Sequence, residues 1–340
     1  MIKPPTGFRV IAVKQEAPSK TPAGARRATA VAHPNVALVK YWGKGCAATN
    51  TPATPSLSIT LDTLKTTTTV VEGRGIDHIV VNGRQVADAK IEGFLRLLRE
   101  NFDIPPLAVD TSNNFPTASG LASSASGMAA LVTAINGAMR LDLTLEEQSR
   151  WARRGSASAA RSMAGGFAIL DARNGWAAEQ LLEPEEWPLN VVVAVTSRER
   201  KTVGSTEGME LSRQTSPFYE AWLDSTVRDC DAALTAIAHR DFAALGSVAE
   251  ASCLRMHAVM LTTDPPLVYW NAGTMEGIRR IRALRETGIG VFFTIDAGPQ
   301  IKAVCLPGDT RKVRAALDDL PGVRDIHVTG LGSGASCVPS

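Results

Sequence analysis

Small, β-branched and alternating residues dominate the stretch from Ala28 to Val71. ATAVAHPNVALVKYW, SLSITL and TTTTVV each alternate or run apolar, and together they predict strands joined by loops. IVVNGRQV then reads as a hairpin, with Asn82 and Gly83 supplying the turn and Arg84 at its tip. Helical spacing takes over at 89–101, where Ile91, Phe94, Leu95 and Leu98 share one face. Met128, Leu131, Val132, Ile135 and Met139 mark a second helix face packed on a sheet. Thr144 and Glu147 have capping-box spacing and start a helix that ends near Arg154. GGFAIL, after the small-residue turn GSASAARS at 155–162, reads as a buried strand.

The pattern changes near Pro188. LNVVVAVT reads as a fully buried strand, and beyond it helices at 216–240, 241–261, 274–287 and 310–320 are interspersed with strands at 290–295, 300–306 and 323–329. That is an α+β half, with antiparallel strands on one side and helices on the other. The expected division is a loose N-terminal extension over 1–28, one domain over 29–188, a second over 189–330 and a flexible tail over 331–340. GLGSGAS in the tail imitates a dinucleotide fingerprint, but too few residues remain for the helix such a motif needs.

Composition narrows the classes. With 340 residues and 44% hydrophobic content the chain can bury real cores, and 36 basic against 34 acidic residues give no broad nucleic-acid or membrane footprint, so a basic site must be local. Five scattered cysteines without a CxxC pair fit reduced thiols in a cytoplasmic protein, and the five histidines show no metal-ligand spacing. No stretch approaches a membrane span.

Candidate chemistry centres on PTASGLASSASG at 116–127. A turn of such small residues at a helix start lets backbone N–H groups close on an oxyanion, phosphate above all. Read alone, the loop suits a linker or a helix–sheet packing point equally well. No GxxxxGK[ST] sequence occurs, so a nucleotide would not be held by a P-loop. Arg161 sits among Ala and Ser just before a buried strand, where an unpaired guanidinium is costly; it needs an internal carboxylate or an anionic substrate. Asp296 ends the apolar run VFFTI ahead of Gly298 and Pro299, in surroundings that would partly desolvate a base or polariser, although a turn-capping Asp is common there.

Six segments in order carry a resemblance: NVALVKYWGK at 35–44, NNFPTASGLASSASG at 113–127, RRGSASAARS at 153–162, STEGMELSRQTSPFY at 205–219, LRMHA at 254–258 and FFTIDAGP at 292–299. The chain resembles the diphosphomevalonate decarboxylases, within the wider superfamily of homoserine, mevalonate and galactose kinases. The resemblance implies a two-domain α+β small-molecule-kinase fold, with a ribosomal-protein-S5-like N-terminal half, a ferredoxin-like C-terminal half and the active site in the cleft between them. It also implies ATP as co-substrate with Mg2+, a homodimer, and ATP-dependent decarboxylation of mevalonate 5-diphosphate through 3-phosphorylation.

Residue by residue, the resemblance makes Asp296 the group that positions or deprotonates the 3-hydroxyl, with Lys44 neutralising charge beside it. Arg161 would hold the substrate carboxylate, Asn35 would support Arg161, and Ser124 would orient the γ-phosphate. Tyr41, Trp42, Gly43, Lys44, Arg84, Ser156, Ala157, Ser158, Ser205 and Thr206 would surround the substrate. Ser112, Gly120, Leu121, Ala122, Ser123 and Ser124 would meet the nucleotide. No protein ligand for magnesium is implied. Two departures matter: GCAATNTPATP follows YWGK where the family has an acidic run, and Ala157 replaces a glycine. They keep alternatives open: a branch acting on mevalonate 5-phosphate to give isopentenyl phosphate, a 3-hydroxyl kinase that stops before decarboxylation, and a non-catalytic binding protein.

Overall fold

The structure, a computed structural model, describes residues 25–115, 123–199 and 201–339. Its N-terminal domain runs through β1 (Arg27–Ala32), β2 (Asn35–Val39), β3 (Lys44–Cys46), β4 (Thr51–Pro52), β5 (Ser56–Thr60), β6 (Thr66–Glu72), β7 (His78–Val81) and β8 (Arg84–Gln85). Helix α1 (Ala89–Arg99), β9 (Leu107–Asn113), α2 (Ser123–Met139), α3 (Leu145–Gly155), a 3-10 helix (Ala157–Met163), β10 (Phe167–Leu170) and β11 (Ala178–Leu182) follow. The C-terminal domain contains β12 (Asn190–Val195), α4 (Ser205–Thr215), α5 (Tyr219–Ala238), α6 (Phe242–Leu261), α7 (Ala272–Glu286), β13 (Val291–Thr294), β14 (Ile301–Cys305), α8 (Thr310–Asp318) and β15 (Asp325–Thr329), and the chain then returns to the N-terminal domain as β16 (Ser336–Cys337).

The strands form a six-stranded sheet β16-β1-β6-β9-β7-β8, a four-stranded sheet β11-β10-β5-β2, a second four-stranded sheet β13-β14-β12-β15, and the β3-β4 ribbon. This is the expected two-domain α+β architecture. The predicted turn at Asn82 and Gly83 is present, with φ of 50° and 74°, and the Thr144–Glu147 capping box forms at the start of α3.

Alternation divides the C-terminal sheet between two cores. Val192, Ala194, Val291, Phe293, Ile301 and Ala303 face α7 and α8, whereas Val191, Val193, Phe292 and Val304 join a core that also contains Val36, Leu38, Leu57 and Ile59 of the N-terminal domain. The two domains therefore share buried apolar surface. Polar links reinforce the seam: Thr294 Oγ1 donates to Ala37 O at 3.0 Å, and the Lys40 amide donates to Ser252 Oγ at 3.0 Å.

Three expectations need correction. The segment 331–340 is not a flexible tail where it is described: β16 pairs antiparallel with β1, and Leu331 bridges Leu61. Gly334 also lies against the Met163 backbone, where an added Cβ would come within 2.3 Å of a carbonyl oxygen. Helix α4 and the β3-β4 ribbon lie in stretches whose periodicity gave no element. The proposed extension over 1–28 is described only from residue 25, and β1 already begins at Arg27.

Candidate active site

Strand β2 is buried at every position, and the chain leaves it at Lys40, which is 1% exposed. Its ammonium donates to Ala37 O at 2.8 Å and to Asp296 Oδ1 at 2.6 Å. Asp296 lies in the turn between β13 and β14, where Gly298 N donates to its carbonyl at 2.7 Å. The other carboxylate oxygen lies 3.1 Å from the Lys302 ammonium on β14. Burial raises the Asp296 carboxyl, but the charges of Lys302 and Lys40 outweigh it and hold the group well below the usual carboxylate range. Burial lowers the Lys302 ammonium, against the attraction of Asp296.

Arg161 stands on the 3-10 helix between α3 and β10 and is 2% exposed. Its Nη1 donates to Ser56 Oγ, and its Nη2 donates to Asn35 Oδ1 at 3.3 Å. Asn35 is oriented in turn, because its Nδ2 donates to Ser158 O at 2.9 Å and Ser162 Oγ at 2.8 Å. Nε of Arg161 is buried without a partner, and no carboxylate pairs with this guanidinium among the described residues. Burial presses its pKa down to about 10, against the attraction of Asp296, so it stays cationic at neutral pH. A buried charge without a counter-ion is costly. A bound anion would satisfy it.

Arg161 and Asp296 open onto one cleft of about 790 Å³ between the domains. Among the described residues its walls carry Lys40, Lys44, Lys90, Arg154, Arg161 and Lys201 against the single carboxylate of Asp296. Such an excess of cations suits a multiply anionic guest. Ser123 and Ser124 begin α2 on one side, with Ser124 Oγ 3.5 Å from Ser156 Oγ, which is 3.4 Å from Ser158 Oγ. Ser205 and Thr206 begin α4 on the other side, and Lys201 donates to Ser205 Oγ at 2.7 Å and Ala297 O at 3.0 Å. The start of α4 has no side-chain cap on its first N–H groups, and Gly204, Ser205 and Thr206 there line the cleft. Tyr41 Oη and Arg154 Nε, from cleft-lining residues, are buried and unpartnered.

Two family models match the chain: the diphosphomevalonate decarboxylase-like N-terminal domain over residues 32–179, and the mevalonate 5-diphosphate decarboxylase C-terminal domain over residues 191–327. The chain belongs to the diphosphomevalonate decarboxylase family. The diphosphomevalonate decarboxylase of Homo sapiens is 36% identical, over 80% of this chain and 74% of its own length. That of Aspergillus fumigatus is 35% identical, over 87% and 81%. The mevalonate diphosphate decarboxylase of Staphylococcus aureus matches in structure at TM-score 0.87 and 34% identity, covering 93% of this chain and 99% of that one. A complex of MDDEF with MVAPP, AMPPCP and magnesium matches at TM-score 0.87 and 35% identity, covering 93% and 100%.

In this family member the cleft gathers Asn35, Tyr41, Trp42, Lys44, Ser123, Ser124, Ser156, Ala157, Ser158, Arg161, Ser205, Thr206 and Asp296 from the sequence-based set. Lys44 corrects one expectation. It lines the cleft from β3, but the ammonium groups on Asp296 are those of Lys40 and Lys302; burial lowers Lys44, with Glu210 as its electrostatic partner. The chain turns at Gly43 between the two lysines, so only Lys40 continues inward from β2.

Arg84 stands apart from this set: the tight hairpin turn leaves it exposed on the edge strand β8, outside the cleft lining. Ser112 is also outside: the alternation of β9 buries Leu107 and Val109 and exposes Asp110 and Ser112. Gly43 does not line the cleft either. With φ of +154° it packs on Tyr219, whose hydroxyl would lie 2.0 Å from an added Cβ. Gly120, Leu121 and Ala122 fall outside the described residues.

Sequence reasoning missed Lys40, Lys90, Lys201 and Lys302. A lysine closing the apolar run VALV, as in NVALVK, and another inside the apolar run IKAVC were the available signals, since neither charge can be buried alone.

His257 on α6 underlies the same turn. Trp270 Nε1 donates to its Nε2 at 3.1 Å, which makes that nitrogen an acceptor. Burial, with the nearby Lys40 charge, pushes its pKa down to about 3. The neutral ring therefore favours the folded state above the ordinary pKa of about 6.5, and that contribution is lost as pH falls toward 3. The urea midpoint of the wild type is expected to drop between pH 6.5 and pH 4, and that of His257→Gln to drop less over the same window. Parallel slopes for the two proteins would remove His257 from the account.

Proposed function

We propose that this cleft converts mevalonate 5-diphosphate to isopentenyl diphosphate by ATP-dependent decarboxylation through 3-phosphorylation. One observation carries the assignment of roles: a lysine-held carboxylate and a buried guanidinium without its own carboxylate share one cationic cleft. The ligands of solved relatives support it. MDDEF has been solved with MVAPP, AMPPCP and magnesium, and mevalonate diphosphate mediates ATP binding in the Enterococcus faecalis enzyme.

A tertiary hydroxide is a poor leaving group. Transfer of the γ-phosphoryl group of ATP to O3 releases ADP and turns that oxygen into a phosphate ester. The C3–O bond then breaks toward phosphate, the C1–C2 bond breaks to release carbon dioxide, and its electron pair becomes the C2–C3 double bond. Asp296 accepts the hydrogen bond of the 3-hydroxyl and aims its oxygen at the phosphorus. Clamped by two ammonium groups it is a weak base, so it takes the proton only as the O–P bond forms and the alcohol acidifies. Arg161 pairs with the substrate carboxylate, whose orientation decides whether the C1–C2 bond can align with the breaking C3–O bond. Ser123 and Ser124 at the start of α2 hold the γ-phosphoryl oxygens. Tyr41, Ser156, Ser158, Ser205 and Thr206 take the 5-diphosphate, with Lys44, Arg154 and Lys201 balancing its charge.

Magnesium fits this cleft as a companion of the nucleotide. No group of three or more His, Cys, Asp or Glu side chains among the described residues could hold a metal ion, and the one cleft carboxylate is taken by lysines. Bound with the nucleotide, the ion would lower the charge of its phosphates during transfer, while the chain supplies hydroxyl and cationic groups around them.

The test mixes the protein with ATP, magnesium and either mevalonate 5-diphosphate or mevalonate 5-phosphate, and measures ADP and carbon dioxide. Equal amounts of both products with the diphosphate are expected. ADP without carbon dioxide would make the protein a 3-hydroxyl kinase, neither product would make it a binder, and preference for the monophosphate would move it to the other branch. The family resemblance supports a homodimer, which sedimentation would check. The balanced charge and free thiols support a cytoplasmic location. Among the described residues no helix is long and apolar enough to cross a membrane.

A further inference from the structure

The turn that carries Asp296 poses a problem of charge stoichiometry. Lys40 alone would neutralise its carboxylate, yet Lys302, 2% exposed in a strand buried at every position, approaches the other oxygen at 3.1 Å. A second buried ammonium is expensive, and an apolar side chain of similar volume at such a position is often neutral or stabilising for the fold. Register explains how the lysine gets there. Lys302 lies opposite Val193 and Thr294, on the sheet face turned toward the N-terminal domain, and Thr294 bonds the same Ala37 carbonyl that receives the Lys40 ammonium.

We propose that Lys302 is a positioning residue for the reaction: by holding Oδ2 while Lys40 holds Oδ1, it stops the Asp296 carboxylate from turning and keeps its unoccupied lone pairs aimed at the substrate hydroxyl. A carboxylate has about four acceptor sites, so two ammonium groups leave about two for the cleft. With Lys40 as its only anchor, the group can rotate toward that lysine and lose its alignment with O3. Lys302 touches neither substrate nor nucleotide in this arrangement; it acts through Asp296.

The proposal rests on the reaction assigned above. Its test therefore begins with the wild type, whose failure to release carbon dioxide would remove that assignment before any variant is read. Lys302→Met keeps an unbranched stem in the sheet and deletes the charge. Its kcat is expected to fall about ten- to a hundredfold, as misalignment of a reacting group does, with the KM for ATP within about twofold of the wild type. Removing one cation also makes Asp296 easier to protonate, so the acid limb of kcat should rise by about one pH unit or more.

The remaining groups around Asp296 are the same in both proteins: Lys40 after β2, Lys201 before α4, Arg161 on the 3-10 helix, and Cys253 and His257 on α6. Lys302→Gln keeps a donor for Oδ2 without the charge; it should show the same upward acid limb with a smaller loss of kcat. An acid limb that stays in place in both folded variants, or a Lys302→Met kcat equal to that of the wild type, overturns the proposal. A Met variant that does not fold leaves the Gln variant to decide by the same two readings.

Discussion

Asp296→Asn is expected to lower kcat by about a thousandfold or more, within the range that a positioned acid–base group contributes. Asn keeps the size of the side chain and can still receive a hydrogen bond on its carbonyl oxygen. It cannot take the hydroxyl proton, and it leaves Lys40 and Lys302 as two buried cations with no carboxylate between them. Removing one partner of a buried ion pair costs about 3–5 kcal/mol of stability, so the unfolding midpoint should fall alongside the rate. ATP binding should survive, because the residues assigned to the nucleotide lie at the start of α2. The decisive measurement is single-turnover ADP formation in folded protein, checked by circular dichroism. A rate close to wild type would remove Asp296 from the phosphoryl-transfer step.

The second large effect is expected of Arg161→Lys, at about a hundredfold or more in kcat. A lysine keeps the charge and loses the planar fork. The guanidinium spends Nη1 on Ser56 and Nη2 on Asn35, and still has an unpartnered Nε. An ammonium cannot hold those two anchors and also present a directed N–H to a substrate carboxylate. The loss should fall more heavily on carbon dioxide release than on ADP formation, since the carboxylate is not the phosphoryl acceptor. Equal losses in both products would place Arg161 in general substrate binding, and unchanged kinetics would place it outside the reacting assembly.

Much of this architecture was legible in the chain because the relevant signals are local. The β-branched run TTTTVV, Asn82-Gly83 directly after the apolar run IVV and the Thr144–Glu147 capping box act within a few residues, and β6, the β7-β8 turn and α3 form where they indicate. Arg161 was legible for a related reason: a guanidinium amid Ala and Ser implies an unmet charge wherever the chain goes. The partners of Asp296 were not. Lys40 and Lys302 lie 256 and six positions from it: the β13–β14 pairing brings Lys302 to the carboxylate, and the seam between the domains brings Lys40. Lys44 has the more conspicuous motif around it, but the turn at Gly43 places it elsewhere on the wall. Helix α4 escaped because its apolar face is small, Met209 with Gly208 and Ser212 buried beside it, and its docking depends on Trp42 Nε1 donating to Ser212 Oγ at 2.9 Å. Glycine-rich ends mislead in the opposite way. GLGSGAS has the composition of a linker, yet its glycines permit close approach of one backbone to another.

That last segment bears on how the molecule is made. Because Ser336 and Cys337 supply the edge partner of β1, the first sheet keeps an unpaired margin until the whole second domain has been synthesised. A nascent chain halted before residue 336 should therefore be prone to self-association through that margin. Extensions fused directly after Val338 would start beside the β1 edge, so a reporter or affinity handle placed there calls for a spacer.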